Sequence, residues 1–85
     1  MKCTVVWKPT AEEELARIWS DAVDKAAITT AANQIERDLE TNPRSVGESR
    51  AGSNRIHFQP PLAIQFRVAK AHSLVYVLEV WLTRR

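Results

Sequence analysis

The sequence predicts a single α+β domain spanning residues 1–85, in which an αα-hairpin packs on a small, mainly antiparallel four-stranded sheet in the order β-α-α-β-β-β. Three observations carry this. Residues 10–41 show apolar side chains at helical spacing, interrupted once near Asp24. Residues 55–83 switch to period-two runs separated by Pro60-Pro61 and by Lys70-Ala71-His72-Ser73. A chain of 85 residues has room for one thin core and for no second domain.

The first strand is Thr4 to Lys8, a β-branched and aromatic run stopped by Pro9. Thr10 and Glu13 then have capping-box spacing, which predicts that the threonine oxygen and the Glu13 carboxylate satisfy free amides at a helix start. Leu15, Ile18, Trp19 and Ala22 form the apolar stripe of that helix. Glu12, Glu13 and Glu14 point around its first turn and suit the helix dipole better than a metal. Asp24 is placed to cap a second helix running to about Thr41, with Ala27, Ile28, Ala31, Ala32, Ile35 and Leu39 inward. Asn42-Pro43 ends it, and residues 42–53 read as a long loop carrying Arg44, Glu48 and Arg50. The second strand is Arg55 to Gln59 and the third Ala63 to Ala69, joined by a diproline whose isomer the sequence leaves open. The fourth strand, Leu74 to Thr83, alternates two largely apolar sets, so it is expected in the middle of the sheet and covered on both faces.

Composition excludes several functions. No apolar run approaches the roughly 20 residues of a membrane span. The start at Met1-Lys2-Cys3 leads into a strand pattern and not a signal peptide, so the cytoplasm is the expected compartment. Cys3 cannot pair within the chain, and at the start of an apolar strand it is expected as a buried thiol. Two histidines and one cysteine without ligand spacing predict no metal site and no cofactor. Charge is divided unevenly: residues 1–41 carry five Lys/Arg against eight Asp/Glu, and residues 42–85 carry seven against two. The cationic sheet half suits an anionic partner, nucleic acid or an acidic protein segment, and is equally compatible with simple solubility charge.

The candidate site is the hairpin from Asn54 to Val68. Its alternation predicts Arg55, His57, Gln59, Gln65 and Arg67 on one sheet face and Ile56, Phe58, Ile64, Phe66 and Val68 on the other. Metal-free RNA cleavage needs a base for the 2′-hydroxyl, an acid for the leaving oxygen and fixed positive charge on the phosphoryl oxygens. His57 has the chemistry for a proton transfer, Glu79 for its complement, and the forks of Arg55 and Arg67 for phosphate. The plainer alternative makes Arg67 and Glu79 a cross-strand ion pair, worth about 0.2–1 kcal/mol, and His57 a polar residue of the sheet face. Arg44, Arg50 and Gln65 extend the candidate nucleic-acid surface. Val77 and Trp81 are expected on the outward side of the fourth strand as an apolar patch.

The element order resembles the RelE/ParE superfamily of type II toxin–antitoxin toxins over nearly the whole chain. The resemblance is carried by Val5-Val6-Trp7 ahead of Thr10-Ala11-Glu12-Glu13-Glu14-Leu15, by Ile35 and Leu39 ahead of Asn42-Pro43, and by Gly47-Glu48-Ser49-Arg50. Arg55-Ile56-His57-Phe58 and Val75-Tyr76-Val77-Leu78-Glu79-Val80 complete it. It implies a cognate antitoxin partner, whose wrapping segment would use Val77 and Trp81, and one of two targets. RelE-like members cleave messenger RNA on the ribosome without a metal, and ParE-like members poison DNA gyrase. A catalytically degenerate binding module is the third outcome. Arg55 and His57 match the basic pair that the nuclease members keep on the second strand. The third-strand arginine position falls at Ala63-Ile64, leaving Arg67 as its substitute, and near the C-terminus Arg84 lies one residue from the expected arginine with no tyrosine after it. These departures leave endoribonuclease activity open.

Overall fold

The computed structural model describes residues 3–41, 48–49, 54–69 and 74–83. The elements are β1 (Thr4–Trp7), α1 (Pro9–Asp21), α2 (Lys25–Thr41), β2 (Glu48–Ser49), β3 (Asn54–Gln59), β4 (Leu62–Ala69) and β5 (Leu74–Leu82). They form one sheet in the order β1-β5-β4-β3-β2, with β1 parallel to β5 and every other pairing antiparallel. The four expected strands and the helical hairpin are present. A two-residue strand, β2, adds a fifth at the β3 edge, inside what reads in sequence as loop.

Helix α1 starts at Pro9, one residue before the capping box expected on Thr10 and Glu13. Lys8 is the N-cap, without a side-chain capping bond. Proline at the first helical position has its φ preset and lacks one of the amides that a helix start leaves unpaired, so the helix starts at Pro9 and Thr10 falls inside it. Helix α2 begins as expected: the Asp24 carboxylate accepts the Ala27 amide at 3.1 Å.

The core lies between the hairpin and one face of the sheet. Ile18, Ile28, Ala31, Ile35 and Leu39 meet Leu62, Ile64, Phe66, Val75, Val77 and Val80 there, and Cys3 packs half-buried at its margin, where a buried thiol was expected. Burying a large apolar side chain stabilises by about 1.5–3 kcal/mol, so these residues dominate the stability of the domain. Polar contacts fix the position of α2 on both sides. The Trp7 indole donates to Glu36 at 2.8 Å toward β1, and His57 meets Asp38 at 3.2 Å toward β3.

Two local features set the phase of the strands, and both overturn the expected faces. The peptide bond between Pro60 and Pro61 is cis, and the turn they form contains only two residues, so Gln59 pairs with Leu62. A two-residue turn pairs odd positions of β3 with even positions of β4, and directly opposed side chains share a face. Arg55 therefore lies beside Phe66 and His57 beside Ile64 on the helix side, while Ile56 lies beside Gln65 and Phe58 beside Ala63 on the other. The second feature is in β5. The register passes from Gln65 opposite Glu79 to Phe66 opposite Val77, making Leu78 an extra residue that reverses the alternation. Val75, Val77, Val80 and Leu82 consequently point to the helices, and Leu74, Tyr76, Glu79 and Trp81 point away. Strand β5 is central, as expected, but its buried residues, Val75, Val77 and Val80, all lie on the helix side, where Leu82 at its end is half exposed.

Candidate functional site

The residues expected to form one polar face are divided between two. On the helix side, β3 carries half-buried Arg55, His57 and Gln59. The His57 Nε2 lies 3.2 Å from Asp38 Oδ2, and the other Asp38 oxygen accepts the Gln34 amide at 2.9 Å. Gln34, Asp38 and His57 thus make a short polar chain linking α2 to β3. Asp38 was not singled out in the sequence. Its only signal there is position: it lies four residues after Gln34 and directly before the buried Leu39. With His57 facing a carboxylate under a helix, the imidazole ties two elements together, and the expectation that it shares a surface with Arg67 is overturned.

The opposite face is open. One row across it runs Phe58, Ala63, Trp81; the next runs Ile56, Gln65, Glu79; the third runs Asn54, Arg67, Tyr76, Val6. Arg67 is exposed and its guanidinium carbon lies 6.0 Å from the centre of the Tyr76 ring, with Lys8 Nζ at 5.8 Å from the same ring. Both distances fall at the limit for attraction between a cation and an aromatic face. The expected Arg67–Glu79 ion pair is not formed: Glu79 lies opposite Gln65, and Tyr76 is the residue opposite Arg67. Lys8 and Tyr76 belong to this surface although sequence reasoning passed over them.

The open face mixes charge with aromatic area. Phe58 is half exposed and Val6 more than a third, while Ala63 beneath Phe58 and Trp81 is fully covered. Trp81 is half-buried on this face, in keeping with an outward apolar patch, but Val77 is wholly buried against the helices and cannot share that patch. The bulge at Leu78 separates the two. Arg44, Arg50 and Arg84 lie outside the described residues. Among the described residues, no three His, Cys, Asp or Glu side chains converge to hold a metal ion, and no helix is long and apolar enough to cross a membrane.

The sequence matches no protein-family model and no curated protein. The fold does match solved structures. The RelBE2 toxin–antitoxin complex of Mycobacterium tuberculosis contains a chain that superposes with a TM-score of 0.79 at 20% identity, covering 98% of this chain and 100% of that one. A chain of the chromosomal ParDE system of P. aeruginosa follows at 0.73 and 15%, covering 98% of each. The isolated RelE toxin of E. coli gives 0.69 and 12%, covering 98% of this chain and 86% of its own. The architecture is that of the RelE/ParE toxins.

Proposed function

We propose that this chain is the toxin of a type II toxin–antitoxin pair, held silent in the cytoplasm by a cognate antitoxin protein, and that it disables its target by binding and not by cutting RNA. The fold it shares over 98% of its length with chains from RelBE and ParDE complexes supports the first half. The single observation that carries the second is the division of the candidate catalytic groups: Arg55 and His57 lie toward α2, whereas Gln65, Arg67 and Glu79 lie on the open face. Proton transfer and phosphate neutralisation at one scissile bond need groups converging within hydrogen-bond reach of it. A sheet separates these. A hold on DNA gyrase, the ParE-like activity, needs no such convergence.

The second reading, ribosome-dependent messenger RNA cleavage, is favoured by the exposed Arg67 beside Gln65 and Glu79 on the open face, with Arg84 and the loop arginines Arg44 and Arg50 as further phosphate ligands. Induced expression, with and without the neighbouring reading frame, separates the two. The proposed function predicts growth arrest that the neighbouring frame relieves, loss of gyrase supercoiling in extracts, and no new transcript ends. New ends clustered within codons, with supercoiling intact, would establish the nuclease.

A further inference from the structure

We infer that the groove between α1 and α2 is a binding site for a small planar aromatic amine, whose ring stacks on Trp19 and whose ammonium meets Glu12. The inference stands on the helical hairpin alone and is independent of the toxin reading.

The groove has a volume of about 440 Å³, and every residue lining it belongs to α1 or α2, so it is separate from both faces of the sheet. That size falls within the roughly 300–1,000 Å³ of small-molecule sites. Its floor is apolar, with Leu15 and the buried Ile28, and Ala16 and Ala32 keep it open because each contributes only a methyl group. Trp19 stands toward one end and is held there. Its indole N–H donates to the Thr29 hydroxyl at 3.2 Å across the hairpin, and Lys25 Nζ lies 5.2 Å from the centre of its ring. After these contacts the residue is still 43% exposed, so a fixed aromatic surface remains for a flat ring to cover.

Charge selects the rest of the ligand. Glu12 is the one charged residue lining the groove, two helical turns or about 10 Å along α1 from Trp19. Among the described residues neither its carboxylate nor the side-chain amide of Asn33, which also lines the groove, has a partner. An ammonium placed there gains a charge-assisted hydrogen bond to the carboxylate, and the Asn33 side-chain oxygen accepts a second one. The nearby cation does not reverse this preference: Lys25 Nζ donates to the carbonyls of Ser20 and Ala22 at 3.2 and 3.1 Å and does not line the groove. An aromatic acid of the same shape therefore meets only like charge, and an aliphatic amine leaves the indole uncovered. A fused ring with a short ammonium arm satisfies both ends.

The test uses the full chain, labelled for amide NMR, with tryptamine as the probe and indole-3-propionate as its acidic counterpart. Tryptamine should shift the amides of Ala16, Trp19 and Ala32 and the Trp19 indole N–H, with a Kd of about 1 mM or below, and leave Gln65, Arg67 and Tyr76 unmoved. Glu12→Gln should weaken binding at least fivefold. Ala16→Leu, a change at an exposed helix position, should fill the groove and abolish binding with the circular-dichroism spectrum unaltered. The inference is overturned if tryptamine at about 10 mM shifts none of these groups, if indole-3-propionate binds them equally well, or if Ala16→Leu binds undiminished. It is also overturned if the same amides shift when the chain alone is diluted, which would make a second copy the occupant.

Discussion

The two faces of this sheet are made by the same strands and have opposite characters. On the helix side Leu62, Ile64, Phe66, Val75 and Val77 are wholly excluded from solvent, and polar groups lie toward the margins, where Arg55, His57 and Gln59 of β3 are half-buried and Asp38 and Glu36 of α2 reach His57 and Trp7. On the open side the rows mix aromatic, apolar, polar and charged residues, and Phe58, Val6, Arg67 and Glu79 stay accessible. The difference shows that a residue's role here depends less on its type than on the phase of its strand. Arg55 and Arg67 are both strand arginines in one hairpin, yet a two-residue turn sends one beneath a helix and the other into the open.

The contrast can be broken most forcefully in the core. Phe66→Ala should cost about 3–5 kcal/mol, the usual range for deleting a buried aromatic. Phe58→Ala, eight residues earlier and half exposed, should cost about 1 kcal/mol, half of what full burial gives. Urea unfolding of the two variants measures the gap, and equal losses would show that the open face is covered after all. A smaller effect is expected where the helix side is polar. A double-mutant cycle on Asp38→Ala and His57→Ala should return a coupling of about 0.5–1.5 kcal/mol, the net value of one hydrogen bond. The smallest belongs to the open face: Arg67→Ala and Tyr76→Leu should couple by about 0.5–1 kcal/mol or less, as an exposed cation over a ring does, while leaving the unfolding midpoint within a few degrees.

Much of this molecule is legible in its sequence, for reasons visible in particular residues. The helical spacing from Ile28 to Leu39 names the inner face of α2, and Asp24 names its start, because helix periodicity and capping are local. Strand existence is equally plain from β-branched runs. Strand phase is not, because it depends on whether a turn holds two residues or three and on where an extra residue enters. The stretch Gln59-Pro60-Pro61-Leu62 does not reveal that its ends pair directly, and nothing around Leu78 marks it as the bulge. Each of these shifts by one residue a choice that decides a whole face. That is why His57 reads as a surface histidine and is found against Asp38, and why Val77 reads as a partner of Trp81 and is found in the core. Asp38 itself carried no motif, since its meaning lies in a contact across nineteen residues.

The central claim, that the groups suggesting catalysis are structural on one face and target-binding on the other, is tested most directly by two substitutions in the same growth assay. His57→Gln keeps a donor for Asp38 and removes the capacity to shuttle a proton, whereas Arg67→Ala alters only the open face. The growth arrest caused by induced expression should survive His57→Gln and weaken at least tenfold in Arg67→Ala, with both proteins folded to the same circular-dichroism spectrum. Arrest abolished by His57→Gln in a fully folded protein, together with the loss of new transcript ends seen in the unmodified chain, would contradict the account and return His57 to the reaction.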